Sequence, residues 1–295
     1  MSSTIFTGVA TALITPMHED GSINLSKIDE IIEQQIEGGV AAIVSCGTTG
    51  EGSTLSREEH IDVMRHTIKA VNRRVPVIAG TGSNDTAFAV ELSKEAEEMG
   101  ADGLLLVSPY YNKASQKGLI EHYTYIADRV NIPIILYNVP SRTGTSISCD
   151  TYKVLSKHKN IVALKEANGD ISSVAHTVAL CGEDLDVYSG NDDQVIPMIS
   201  LGGKGVISVF SNFAPKIMSE ITGLALDGKF KEATALQCKY LDLMNSMFID
   251  VNPIPVKEAM NLLGYEVGPC RLPLCSTTPE KLEKIKSALK GVGLL

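Results

Sequence analysis

The chain has 295 residues, 44% hydrophobic and 21% charged, with a formal net charge of −9 at pH 7. That balance describes an ordinary globular protein with ample core, and its acidic excess argues against nucleic acid or an anionic membrane as a partner. Any anionic ligand must then be held by local groups, such as one arginine or a set of backbone N–H donors.

Short apolar runs recur along the chain, and their composition and length predict strands near Phe6–Thr15, Ala41–Cys46, Val75–Gly80, Gly103–Ser108, Ile132–Tyr137, Ile161–Lys165, Asp186–Gly190 and Gly205–Phe210. Runs this apolar suit strands buried on both faces, as in a parallel sheet. Amphipathic stretches at Ser26–Glu37, Arg57–Val71, Thr86–Met99 and Lys117–Arg129 read as intervening helices. Ser56 followed three residues later by Glu59 is a capping-box start, and Gly100 is a helix stop. Repeated strand–loop–helix units at intervals of roughly 25 to 35 residues imply an α/β fold, here a closed (β/α)8 TIM barrel, with an open doubly wound sheet as the alternative. After Pro215 only helices follow, at Lys216–Leu226, Phe230–Phe248, Pro255–Leu263 and Pro279–Leu289. The expected division is a barrel over residues 1–226 and a C-terminal helical subdomain over 227–295.

In such a barrel the chemistry sits where strands end. Strand two runs into Gly47-Thr48-Thr49-Gly50-Glu51-Gly52, a small-residue turn suited to a carboxylate or phosphate, or simply a helix cap. Strand four leads to Ser108-Pro109-Tyr110-Tyr111-Asn112, and strand five to Tyr137-Asn138-Val139-Pro140-Ser141-Arg142-Thr143-Gly144. Tyr137 is either a core tyrosine or a proton relay; Arg142 is a surface arginine or a fork for a carboxylate. Strand six ends in Lys165-Glu166 and strand seven in Ser189-Gly190-Asn191-Asp192-Asp193. A lysine closing a buried strand costs free energy unless it is paired or neutral, and a neutral amine condenses with ketones to a Schiff base. The ordinary alternative is a strand-end lysine that reaches water.

Several other patterns lead nowhere. Leu201-Gly202-Gly203-Lys204-Gly205 precedes strand eight and is no Walker loop, and no GxGxxG fingerprint occurs. Without HExxH spacing or a Cys/His cluster, no metal and no organic cofactor is expected. The six cysteines (Cys46, Cys149, Cys181, Cys238, Cys270, Cys275) form no CxxC pair and read as reduced. Nothing in the sequence assigns a role to Cys270 or Cys275. The first residues lack the order of a signal peptide, and no apolar run approaches the ~18 residues of a membrane span, so the expected location is the cytoplasm.

Taken together, Gly47-Thr48-Thr49-Gly50-Glu51, Tyr137 to Gly144 and Leu164-Lys165-Glu166 resemble the dihydrodipicolinate synthase family of the class I, Schiff-base aldolases, across essentially the full chain. The resemblance implies condensation of pyruvate with aspartate semialdehyde to 4-hydroxy-tetrahydrodipicolinate, the first committed step of the diaminopimelate route to lysine. It implies that Lys165 forms the imine, that Thr49 holds the pyruvate carboxylate, and that Tyr137, Thr48 and Tyr111 relay protons. Tyr111 would come from a neighbouring subunit of a homotetramer. Arg142 would bind the semialdehyde carboxylate, with Gly190 and the carbonyl of Ile207 lining the pocket. The related N-acetylneuraminate lyases typically carry Ser-Thr at Thr48-Thr49 and lack the arginine. Those lyases, the 2-keto-3-deoxy sugar acid aldolases and an inactive keto-acid-binding barrel are the alternatives. His60, Asn84 and Tyr110 match the cleft in which some members bind lysine as inhibitor. Phe88 replaces the expected glutamate and Arg57 a histidine, which implies weak or absent lysine feedback.

Overall fold

A computed structural model describes residues 4–295. Eight parallel strands, β1 (Gly8–Ala12), β2 (Ala42–Ser45), β3 (Val77–Gly80), β4 (Gly103–Val107), β5 (Ile134–Asn138), β6 (Ile161–Glu166), β7 (Asp186–Ser189) and β8 (Gly205–Ser208), pair in order, and β8 closes on β1. The barrel reading holds and the open sheet is excluded. All eight expected strands are present, most of them trimmed where the chain turns into a loop.

Around them run α1 (Leu25–Glu37), α2 (Arg57–Val71), α3 (Thr86–Glu98), α4 (Gln116–Ala127), α5 (Pro140–Thr143), α6 (Cys149–Leu155), α7 (Ile171–Cys181), α8 (Val195–Ser200) and α9 (Pro215–Leu226). After them come α10 (Phe230–Ser246), α11 (Ile254–Leu262) and α12 (Pro279–Gly291). The capping box forms as expected: Ser56 Oγ accepts from Glu59 N, and Glu59 accepts from Ser56 N. Burial sorts the strand residues by period two. Ile43, Leu104, Leu136 and Leu164 pack outward against the helices, whereas Ala42, Val44, Leu105, Tyr137 and Tyr188 fill the barrel.

One irregularity decides the orientation of the end of β6. Ile134 pairs with Ile161, but Ile135 pairs with Ala163, so Val162 is an extra residue in the strand. Ile161 packs outward and Ala163 inward, so the extra residue reverses the alternation. Lys165, two residues after Ala163 and paired with Tyr137, therefore faces the barrel interior. An uninterrupted strand would put it on the outward face of Ile161.

The helices after β8 close over the barrel mouth. Glu51 Oε1 lies 2.6 Å from Lys257 Nζ, with side chains only 1% and 2% exposed. That contact is ionic in distance without hydrogen-bond geometry. The Lys257 ammonium donates to Pro269 O and Arg271 N donates to Glu51 Oε2. The Arg271 guanidinium forks onto both oxygens of Glu59 at 2.6 Å each, which holds that carboxyl down at about 2.

Candidate active site

The loop after β2 is wound tightly. Cys46 and Glu51 both have left-handed backbones (φ 56° and 54°), costing about 1–3 kcal/mol each unless the surroundings enforce them. A Cβ on Gly52 would stand 2.3 Å from Cys46 O, so glycine is required there. This winding presents Thr48 to the mouth and tucks Thr49 beneath it, where it is buried. At the end of β5, Pro140 starts the single turn of α5 and Gly144 (φ 69°) ends it, placing Arg142 at the rim.

Lys165 is 5% exposed, and its Nζ lies 4.2 Å from the centroid of the Tyr137 ring. Burial brings its amine down to about 7; the Asp192 carboxylate opposes that shift and the Arg142 guanidinium adds to it. Burial pushes the Tyr137 phenol up, against the pull of Arg142 and a bond from Thr48, so the phenol stays protonated at neutral pH. The site thus holds an amine close to half neutral at neutral pH beside a proton donor. That is the equipment for imine chemistry.

The turn after β7 lies against the lysine. A Cβ on Gly190 would meet Lys165 Cε at 3.2 Å and Ala167 Cβ at 2.7 Å, so only glycine lets the turn approach. Two residues on, Asp192 Oδ2 accepts from Val209 N (3.2 Å) and Phe210 N (2.9 Å), while its buried Oδ1 has no partner among the described residues. Ile207 is buried inside the barrel on β8, paired with Ala10.

A cavity of about 340 Å3 is lined by Thr48, Tyr137 and Arg142 and extends to Arg57, His60 and Tyr110. Lys165 is not among its lining residues, but its amine stands beside Tyr137, which is. Of the expected effector residues, His60 and Tyr110 are therefore continuous with the mouth. His60 bonds Gly80 O at 2.8 Å, and Phe88 joins the lining. Asn84 stays outside the lining and accepts from Asn112 Nδ2 through its carbonyl. Arg57 is already paired, its guanidinium 2.5 Å from Glu95. With the Arg57 charge offset by Glu95, it is chiefly Phe88 that leaves a cationic effector without a partner.

Tyr111 is not brought to the lysine within one chain. Its backbone is left-handed (φ 72°) and its side chain is 89% exposed.

Three further residues bear on the site in ways that residue order does not reveal. Asp192 follows Gly190 directly, but its burial is invisible in the sequence. Glu166, raised by burial to about 7, accepts from Asn138 Nδ2, Tyr152 Oη and Asn168 N on the helix side of β6. Asn252, between α10 and α11, donates through Nδ2 to Thr49 Oγ1 (2.9 Å), and its carbonyl accepts from Arg142 Nη2 (3.2 Å). No signal marks it beyond an Asn-Pro step in a helical tail.

Known proteins repeat this architecture. Residues 5–292 match the model of the dihydrodipicolinate synthetase family. The 4-hydroxy-tetrahydrodipicolinate synthase of Acetivibrio thermocellus is 53% identical over 295 residues, covering 100% of both chains. The chloride-inhibited dihydrodipicolinate synthase of Acinetobacter baumannii, complexed with pyruvate, superposes with a TM-score of 0.97 at 43% identity, covering 99% of this chain and 100% of that one. A monomeric dihydrodipicolinate synthase variant matches with a TM-score of 0.96 at 40% identity, over 99% of this chain and 98% of its own. With a full-length family match, a relative above half identity and the inward lysine in place, the chain belongs to the dihydrodipicolinate synthetase family.

Proposed function

We infer that the chain catalyses the condensation of pyruvate with L-aspartate 4-semialdehyde to 4-hydroxy-tetrahydrodipicolinate, through a Schiff base on Lys165. The observation that carries this reading is the inward lysine, its amine held near 7 by burial and packed against Tyr137. The neutral amine adds to the pyruvate ketone, and loss of water gives the imine. The protonated imine nitrogen then acts as electron sink, so the methyl group loses a proton and becomes an enamine. No external cofactor is needed for that step. The enamine carbon forms its bond to the aldehyde carbon, whose oxygen takes a proton. The product's own amine displaces the Lys165 nitrogen, which closes the ring and returns the free lysine.

In this reading Tyr137 and Thr48 carry protons to and from the reacting centre, and Thr49 with adjacent backbone amides seats the pyruvate carboxylate. Arg142 takes the semialdehyde carboxylate, the feature that favours this aldehyde over the sugar-acid substrates of related aldolases. Gly190 and the Ile207 carbonyl line the pocket. The working form is a homotetramer in which Tyr111 enters a neighbour's relay, and the compartment is the cytoplasm, in keeping with free cysteines among the described residues. The barrel over 1–226 carries the imine chemistry and the helical subdomain over 227–295 braces it.

Borohydride reduction with pyruvate, followed by peptide mass measurement, is the test. A stable adduct on Lys165, absent in Lys165→Ala, is the expected outcome; an unmodified wild-type lysine would sink the reading. In a coupled assay with aspartate semialdehyde, lysine inhibits weakly or not at all, because Phe88 gives its ammonium no anion. Half-maximal inhibition at sub-millimolar lysine would count against that.

A further inference from the structure

Asn252 is only 5% exposed and lies beyond the barrel, in the segment that joins α10 to α11. Its side chain donates to Thr49 Oγ1 at 2.9 Å while its main-chain carbonyl accepts from Arg142 Nη2 at 3.2 Å. One residue of the tail is thus bonded to both groups assigned to substrate carboxylates. The two bonds differ in kind. Arg142 is held by a backbone atom that every residue possesses, whereas Thr49 is held by an amide side chain.

The direction of the Thr49 bond matters. A threonine hydroxyl has one proton to give and lone pairs to accept with. Because Asn252 donates, it occupies a lone pair and leaves the Thr49 proton free to point at an anion. An acceptor at position 252 would draw that proton away from the mouth. We propose that Asn252 is a positioning residue which, by donating to Thr49, keeps the threonine hydroxyl proton available to the pyruvate carboxylate, and so sets affinity for the keto acid but not for the aldehyde. The proposal rests on the assignment of Thr49 to the pyruvate carboxylate.

Two variants separate this from ordinary packing. Asn252→Ala removes the donor and leaves Thr49 free to turn. Asn252→Asp keeps the shape, accepts the Thr49 proton and places a negative charge beside the keto acid's own. Both keep the carbonyl that holds Arg142. The measurement is the pyruvate concentration that half-saturates borohydride trapping, alongside steady-state KM for each substrate and kcat. Asn252→Ala should raise the pyruvate value roughly fivefold, the scale of losing the one neutral hydrogen bond that orients Thr49. Asn252→Asp should raise it further, since the like charges repel. KM for the aldehyde should stay within about twofold of wild type, and on a Thr49→Val background Asn252→Ala should add nothing, as coupled sites require.

Pyruvate values unmoved by both variants would overturn the proposal. So would a full additional effect of Asn252→Ala on the Thr49→Val background, or equal changes in kcat and both KM values. Should Asn252→Ala fail to fold, the isosteric Asn252→Asp carries the comparison. Trapping in wild type with unmoved variants defeats this proposal alone. No trapping in wild type defeats the functional reading beneath it.

Discussion

Lys165 is held between opposing influences: burial and the Arg142 charge push its proton off, and the Asp192 carboxylate holds it on. In the proposed Schiff-base role of Lys165 the balance near 7 has a direct kinetic reading, because only a neutral amine can attack the pyruvate ketone. The rate of adduct trapping at low pyruvate should rise with pH up to about 7 and flatten above it, as the cited amine value requires. A solvent-exposed lysine, with its ordinary value of about 10.4, would keep accelerating well past that point. Asp192→Asn preserves the acceptor for Val209 N and Phe210 N but removes the anion, so the acid limb should move to lower pH. A limb that stays in place in this variant would remove Asp192 from the account. For stability the sign is also fixed: Lys165 is depressed in the fold, so its contribution is favourable above about 10.4 and is lost as pH falls through about 7. Glu166 slopes the other way, since its raised carboxyl favours the fold at low pH and loses that advantage as pH rises through about 7. Lys165, Tyr137, Thr48 and Arg142 were legible because each closes a strand or follows one. Asp192 follows a strand too, but its burial, like the bond direction at Asn252, leaves no trace in local residue order.

At the level of elements, all eight strands and the helices α1–α4 and α9–α12 were readable from periodicity and caps, whereas the 11 residues of α7 were not marked out. The short pieces were not: α5, α6 and α8 have only four, seven and six residues, too few for a 3.6-residue period to register. The extra residue in β6 was equally hidden, since Ile161 to Leu164 reads as an unbroken apolar strand on either register. The loop after β2 depends on a distant element. Glu51 sits in a left-handed backbone and is met by Lys257 of α11 in a nearly dry contact. Glu51→Ala should destabilise the protein by about 3–5 kcal/mol in denaturant titration, because it strands a buried ammonium. Glu51→Leu with Lys257→Met should recover much of that loss. Equal stabilities for Glu51→Ala and the pair would show that the charges do not meet as described. Activity should remain low in both, since the loop that carries Thr48 and Thr49 loses its anchor.

The molecule as a whole is a closed barrel whose mouth is capped by its own tail, and the change to helices after Pro215 was plain in the sequence. That the tail reaches the chemistry was not, because its contacts span some two hundred residues of sequence, as with Thr49 and Asn252. Tyr111 points the other way, out of the chain. Tyr111→Phe should reduce turnover by about a hundredfold, the usual scale for losing a proton-transfer group. Mixing Tyr111→Phe chains with Lys165→Ala chains under subunit exchange should restore activity, since a mixed interface joins an intact lysine to an intact tyrosine. Mixtures no better than their parts would confine Tyr111 to its own chain. The placement of Glu51 has one last implication, for the order in which the protein is made. Its loop leaves the ribosome more than two hundred residues before Lys257 and Arg271, which hold it. A nascent chain that has already closed all eight strands still lacks the clamp on that loop. Synthesis must pass Arg271 before the barrel it built early can work.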